Sequence, residues 1–143
     1  MPLHLLKLCV GAESIKDLED WIVETLAARD AQGRPAEQTH TTRMVPTRID
    51  EILDGGSLYW VIKGEVACRQ RLAAIRPFVD SEGIRRCHLV LEPKVHRVEP
   101  RPSRPFQGWR YLAAKDAPGD LAGERGSTLP DELRRELRSL GLL

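Results

Sequence analysis

The chain has 143 residues, of which 41% are hydrophobic and 30% are charged, and its net charge at neutral pH is +1. These values are ordinary for a globular domain, and no apolar run is long enough to span a membrane. Residues 3–10 are apolar but lack a basic start and a cleavage site, so they predict a first strand instead of a signal peptide. We expect one cytoplasmic domain, residues 1–143, with no membrane partner.

Cys9, Cys68 and Cys87 are an odd number of cysteines at wide spacings. This is typical of reduced, buried thiols in a cytosolic protein. The usual close ligand pairs of zinc sites, and the motifs of nucleotide-binding loops and metalloproteases, do not occur. We therefore expect no metal, no cofactor and no catalytic residue.

Two helices follow the first strand. Ser14 and Asp17 form a capping-box pattern that opens the first helix, and Gly33 is expected to end this helix. Helical spacing places one set of side chains on its buried face: Leu18, Trp21, Ile22 and Leu26. After a second strand or extended arm at 37–46, Thr47 and Asp50 predict another capping box, which opens a helix of about two turns.

The stretch 54–71 opens on a Gly-Gly turn, and from 58 to 71 apolar and polar residues alternate, which is the pattern of a long strand with one buried face. The side chains expected on the buried face are Leu58, Trp60, Ile62, Val66 and Cys68. Those expected to be more exposed are Lys63, Glu65, Arg69 and Arg71. Gly64 in mid-strand indicates a bend or bulge, which favours a strongly curved sheet or small barrel.

The second half of the chain continues with strands. Residues 69–79 fit either a helical turn or a continued strand, 84–92 alternate, and 106–112 predict a last strand. The proline-rich segment 100–105 is expected to be extended and polyproline-like. Thr128 is expected to cap a final helix with an apolar stripe of Leu133, Leu137 and Leu140. The predicted fold is α+β: a mixed, strongly curved sheet or small barrel with two N-terminal helices and one C-terminal helix.

The charge is unevenly distributed along the chain. Residues 61–110 contain eleven Lys and Arg against five Asp and Glu, an excess of +6, whereas the remainder carries −5. One interpretation is a domain with acidic, solvent-exposed helices. The other is a basic sheet face that binds an anion, for example nucleic acid.

Aromatic and basic residues lie near the ends of the predicted strands. Rings beside arginines can stack on bases and hold phosphates. The opposing interpretation places Trp60, Phe106 and Trp109 in the core and the arginines on a solvated face. The candidate binding residues are Arg43, Arg48, Tyr59, Trp60, Lys63, Arg69, Arg71, Arg104, Gln107, Trp109 and Arg110.

Several long motifs resemble a bacterial family, domain-of-unknown-function family 1489, found mainly in alphaproteobacteria. They are TRMVPTRIDEILDGGSLYWVIKG, CRQRL and RPFQGWRYL, together with the LHLLKLCVG start and the LRSLGLL end. This resemblance implies no particular activity. LHLLKL, SIKDL and DGGSLYWVIKG are also similar to the PUA-like group, including EVE and ASCH domains, which implies a small barrel that binds RNA or modified bases.

The expected function is a non-enzymatic nucleic-acid or modified-nucleotide binding domain, with RNA or a modified nucleotide as partner. One alternative is a small-molecule enzyme with its site in the barrel mouth, which requires a concave pocket with a perturbed titratable group. Another is a protein-interaction module that uses segment 100–105, which requires an exposed apolar patch.

The predicted C-terminal helix can be tested by mutation. Leu137→Ala is expected to lower the free energy of unfolding by about 2–5 kcal/mol, because the leucine stripe would pack on the sheet. Denaturant melts measure this loss, and a value below about 1 kcal/mol would contradict packing of the stripe on the sheet.

Overall fold

The computed structural model describes residues 2–35 and 37–121, which form seven strands and two helices. The strands are β1 (Leu3–Leu8), β2 (Gln38–Thr42), β3 (Ser57–Ile62), β4 (Glu65–Val79), β5 (Arg85–Leu91), β6 (His96–Pro102) and β7 (Trp109–Ala113). The helices are α1 (Ile15–Ala31) and α2 (Ile49–Leu53), and a 3-10 turn covers Ala114–Asp116. The predicted α+β class is confirmed, and the predicted C-terminal helix lies outside the described residues.

The strands form one mixed sheet with the order β2-β5-β4-β3-β1-β7. β1 and β3 are parallel, whereas the other paired strands are antiparallel. β6 lies off this path and pairs with the first half of β4. Segment 69–79, which fitted either helix or strand, is part of β4.

The sheet is strongly curved, because side chains from distant strands meet across one face. The rings of His40 on β2 and Trp60 on β3 are perpendicular with centroids 5.5 Å apart, although β5 and β4 lie between these strands in the sheet order. Trp109 on β7 donates a 2.7 Å hydrogen bond to the carbonyl of Met44, just after β2. Within the described residues the two sheet edges are joined by such contacts and not by a closing ladder. We call the concave side, which faces α1, the inner face.

A hairpin replaces the predicted long strand between 58 and 71. β3 and β4 are joined by Lys63 and Gly64, both with positive φ (48° and 77°), as in a tight two-residue turn. Gly64 therefore serves the turn, and the prediction of one bent strand was wrong. All five apolar side chains predicted to be buried are buried: Leu58, Trp60, Ile62, Val66 and Cys68. The prediction that they share one face was wrong for Val66, which lies on the outer face.

β3 is buried on both faces, in contrast to the one-sided burial predicted. Tyr59 and Val61 pack with Val66 in a second cluster on the outer face. Side chains of Phe106 and Ala117, which flank β7, pack against this cluster. An irregularity in the β3–β4 pairing leaves Ala67 without a partner on β3, which places Val66 on the outer face and Cys68 on the inner one.

The two predicted helix starts differ in outcome. In α1 the backbone N–H of Asp17 donates to Ser14 Oγ at 3.1 Å, so Ser14 is confirmed as the cap, while the Asp17 side chain accepts the N–H of Glu13 instead of that of Ser14. In α2 the N-cap is Arg48 and makes no side-chain cap, so the second box was wrong. Thr47 instead bonds to Tyr111, its N–H donating to the phenol oxygen at 3.0 Å.

In the described part of the chain, neither α1 nor α2 is long and apolar enough to cross a membrane.

Gly56 offers a test of the packing between α2, β1 and β4. A Cβ at this position would lie 2.3 Å from the carbonyl oxygens of both Ile52 and Leu3. Gly56→Ala is therefore expected to lower the free energy of unfolding by about 1–3 kcal/mol or more. Gly119→Ala, whose Cβ meets no atom within 4 Å, is the control. Equal denaturation midpoints for the two variants would contradict this packing.

Candidate ligand-binding site

A pocket of about 320 Å³ lies on the inner face, between the sheet and the start of α1. β1 ends at Leu8, Gly11 turns the chain with a φ of +90°, and Ser14 then caps α1. This short connection brings the first turns of α1 close to the end of β1. The residues that line the pocket are Cys9, Val10, Gly11, Ala12, Asp17, Leu18, Trp21, His40 and Trp60.

Trp21 lies on the wall formed by α1. The helical pattern predicted that it is buried together with Leu18 and Ile22, but 45% of its surface is exposed, so that prediction was wrong. Leu18 and Ile22 do point into the core, and Trp21 lies at the edge of their stripe. A large exposed indole beside a cavity offers a stacking surface to a ligand.

Trp60 lies on the wall formed by β3, and hydrogen bonds fix its orientation. Its Nε1–H donates to Gln70 Oε1 at 2.8 Å. Gln70 Nε2 in turn donates to the Glu92 carbonyl at 3.0 Å and to Gln38 Oε1. Gln38 and Gln70 are fully buried, and Gln38 Nε2 has no hydrogen-bond partner among the described residues. Buried polar networks of this kind hold side chains in one arrangement.

The polar groups of the pocket include two that are uncharged at neutral pH. Burial, assisted by the charge of Lys7, lowers the pKa of His40 to about 4. Burial raises the pKa of the Cys9 thiol to about 11, so it is a poor nucleophile. Asp17 Oδ2 accepts a 3.0 Å hydrogen bond from the N–H of Glu13. Among residues 2–35 and 37–121, no group of three or more His, Cys, Asp or Glu is placed to hold a metal ion.

Of the candidate residues from the sequence, Trp60 lines the pocket, whereas Tyr59 and Arg69 meet on the outer face. These two are directly opposed on β3 and β4. Arg69 donates to both carboxylate oxygens of Asp120, at 2.8 and 2.7 Å, and to Ser57 Oγ at 2.9 Å. The ring of Tyr59 packs edge-on against His4 with centroids 5.0 Å apart. Arg69 is thus already held by a carboxylate.

A further group of candidate residues lies around β7. The Arg48 guanidinium is 5.7 Å from the centre of the Tyr111 ring, which packs against Trp109 at 4.8 Å. Trp109 does not line the pocket, and its indole N–H is already bonded to the Met44 carbonyl. Arg110 points to the opposite face and stacks over Phe106 at 4.8 Å.

The remaining candidate residues lie on the surface. Lys63, at the hairpin turn, has its Nζ 3.8 Å from Glu13 Oε2. The exposed others are Arg43, Arg71, Arg104 and Gln107. The pocket therefore unites Trp60 with residues that the sequence did not single out for binding: Cys9, Asp17, Trp21 and His40. The one signal of this pocket in the sequence was Trp21, a tryptophan in an acidic amphipathic helix.

The basic excess of residues 61–110 is partly neutralised inside the molecule. Four of its cations form ion pairs with acids from outside that stretch: Lys63–Glu13, Arg69–Asp120, Arg76–Glu37 and Arg97–Glu19. Exposed pairs of this kind add little stability. They nevertheless bring the acidic segments of the chain against the basic strands.

These features define an α+β protein with a strongly curved mixed sheet and a small aromatic pocket beside its first helix. The family model described as "Protein of unknown function (DUF1489)" matches residues 5–143, so the chain belongs to this family. Searches of curated proteins and of solved structures found no match.

The protonation state of His40 can be measured by NMR. We expect its imidazole resonances to titrate near pH 4 and to stay unchanged between pH 6 and 8, since burial disfavours the charged ring. Because the unfolded ring takes up its proton near 6.5, this group lowers stability as the pH falls from about 6.5 towards 4. A midpoint near 6.5 in the folded protein would show that His40 is solvated.

Proposed function

We propose that this protein is a non-enzymatic binding domain for a modified nucleotide, free or within a nucleic acid, and that the pocket receives the base. The observation that carries this proposal is the pocket of about 320 Å³ with Trp21, Trp60 and His40 in its walls. This volume is at the lower end of the range for small-molecule pockets, which favours one base over a longer segment.

The pocket chemistry supports recognition of a planar, polar ring. Stacking of a base on an aromatic side chain contributes about 1–3 kcal/mol. The imidazole of His40 and the carboxylate of Asp17 offer hydrogen bonds at the rim of a stacked base. The resemblance of LHLLKL, SIKDL and DGGSLYWVIKG to PUA-like domains points in the same direction, at the level of fold analogy.

The protonation of the pocket supports binding over catalysis. An enzyme of the cysteine–histidine type needs a thiolate and a base that titrates near neutral pH. Cys9 and His40 have the opposite properties, because burial raises the pKa of the thiol and lowers that of the imidazole.

The ion pairs, segment 100–105 and the cysteines concern the kind of partner and the cellular location of the protein. Ion pairs already engage several strand cations, which favours a single nucleotide over a long phosphate backbone. A protein-interaction role for segment 100–105 has less support, because residues 100–102 belong to β6 and the N–H of Ser103 donates to the Gly64 carbonyl at 2.8 Å. The absence of disulfides among the three cysteines, Cys9, Cys68 and Cys87, suits the cytoplasmic location that we include in the proposal.

Trp21→Ala tests the pocket directly. Isothermal titration calorimetry with a panel of methylated nucleosides and their parents should identify a ligand of the wild-type protein. We expect Trp21→Ala to weaken its binding at least tenfold, because a stacking surface is lost. Val23→Ala, an exposed residue of the same helix that does not line the pocket, is the control and should bind normally.

Two outcomes would contradict the proposal. One is the absence of binding by wild-type protein to every nucleoside and to short RNA and DNA oligomers. The other is a ligand whose affinity is the same for wild type, Trp21→Ala and Val23→Ala, since it would bind elsewhere.

A further inference from the structure

Among residues 2–35 and 37–121, the side chains that line the pocket include a single formally charged one, the carboxylate of Asp17. No Lys or Arg side chain of these residues lines the cavity. The other polar groups are a thiol and an imidazole, both uncharged at neutral pH. A ligand in this pocket thus meets one negative charge between aromatic walls.

Asp17 is held in place by the start of α1. Its Oδ2 accepts the N–H of Glu13 at 3.0 Å, while its own N–H donates to Ser14 Oγ. The helix dipole places about half a positive charge at this end of the helix, which is less than the full charge of the carboxylate. The cap therefore positions Asp17 without cancelling its charge.

The exposed surface of α1 beside the pocket is also acidic. Besides Asp17, the stretch from 13 to 24 carries four exposed acids, Glu13, Glu19, Asp20 and Glu24, against the single cation Lys16. Three of these acids are close to cations, Asp20 to Lys16, Glu13 to Lys63 and Glu19 to Arg97. The preference for a cation therefore depends on Asp17 inside the pocket and not on the general charge of α1.

Indole faces attract cations, and a nearby carboxylate adds to that attraction. Asp17 and Trp21 are both exposed, so the attraction is the modest one of solvent-accessible groups. Building on the proposed function, we propose that the pocket selects a nucleobase that carries a positive charge, as a base alkylated on a ring nitrogen does, over the neutral base of the same size. Trp21, 45% of which is exposed, supplies the main aromatic surface, Trp60 adds the small part of its ring that remains accessible, and Asp17 supplies the opposite charge.

The groups facing the pocket from the sheet are compatible with a cation. His40 does not repel it, because its pKa of about 4 leaves the ring neutral. Lys7 pairs in register with Trp60 on the neighbouring strand and does not line the pocket. Its charge opposes a cation in part, so we expect a selectivity of about tenfold instead of a much larger one.

Two isomeric nucleosides separate charge from size. 1-Methyladenosine is cationic at neutral pH, whereas N6-methyladenosine has the same atoms and is neutral. Isothermal titration calorimetry at pH 7 is expected to show about tenfold tighter binding of 1-methyladenosine than of N6-methyladenosine to the wild-type protein.

Asp17→Asn then tests the source of this selectivity. The amide oxygen can still accept the Glu13 N–H, so the helix start should be kept, and a thermal melt checks this. The preference for 1-methyladenosine over N6-methyladenosine should fall to about threefold or less, because the lost charge weakens binding of the cation more than binding of the neutral isomer. Asp20 lies one turn further along α1, and its side chain does not line the pocket. Asp20→Asn removes the same charge and should keep the full preference for 1-methyladenosine.

The outcomes distinguish this inference from the function on which it rests. Equal binding of both isomers to wild type, or an undiminished preference in Asp17→Asn, would overturn the charge selectivity and leave the base pocket standing. Equal loss of preference in Asp17→Asn and Asp20→Asn would also overturn it, since the effect would come from the general charge of α1. If the wild-type protein binds neither of these isomers and no other nucleoside, the proposed function itself is overturned.

Discussion

The architecture depends on a buried chain of hydrogen bonds that runs from Trp60 through Gln70 to Gln38. These residues belong to β3, β4 and β2, and β5 lies between β4 and β2 in the sheet order. Side chains on these strands can meet only if the sheet curls around its inner face. Gln38 Oε1 and both polar atoms of the Gln70 amide are paired in this arrangement, and losing such a buried pair costs about 1–3 kcal/mol, whereas Gln38 Nε2 has no partner among the described residues. The network therefore favours the curved sheet over a flatter one.

The pocket follows from this curvature. The curled sheet brings His40 on β2 against Trp60 on β3, and the capped start of α1 adds Asp17 and Trp21 on the opposite side. The aromatic walls are consequently held by elements that are distant in sequence: the first helix, an edge strand and a central hairpin. Such positioning on regular elements suits selective binding, because little side-chain ordering remains when a ligand enters.

The sequence predicted local structure well and non-local structure poorly. The alternation over 58–71 identified the buried side chains but not the hairpin, because a two-residue turn leaves the alternation unbroken and Lys-Gly is a weaker turn signal than Asn-Gly. Tyr59 is buried because Phe106 and Ala117 cover the outer face, which no local pattern indicates. Trp60 was a candidate binding residue from the start, whereas Trp21 fitted the core stripe of its helix. The pocket role of Trp21 depends on how α1 lies against the curled sheet.

The three tryptophans of the chain permit one direct test of the pocket, because each indole N–H gives its own NMR signal. Trp21 and Trp60 line the pocket, whereas Trp109 is buried beside β7 and donates to the Met44 carbonyl. Titration of ¹⁵N-labelled protein with a bound nucleoside should shift the indole signals of Trp21 and Trp60 and leave that of Trp109 in place. A shift of Trp109 with unchanged Trp21 and Trp60 signals would contradict the account and place the ligand at β7.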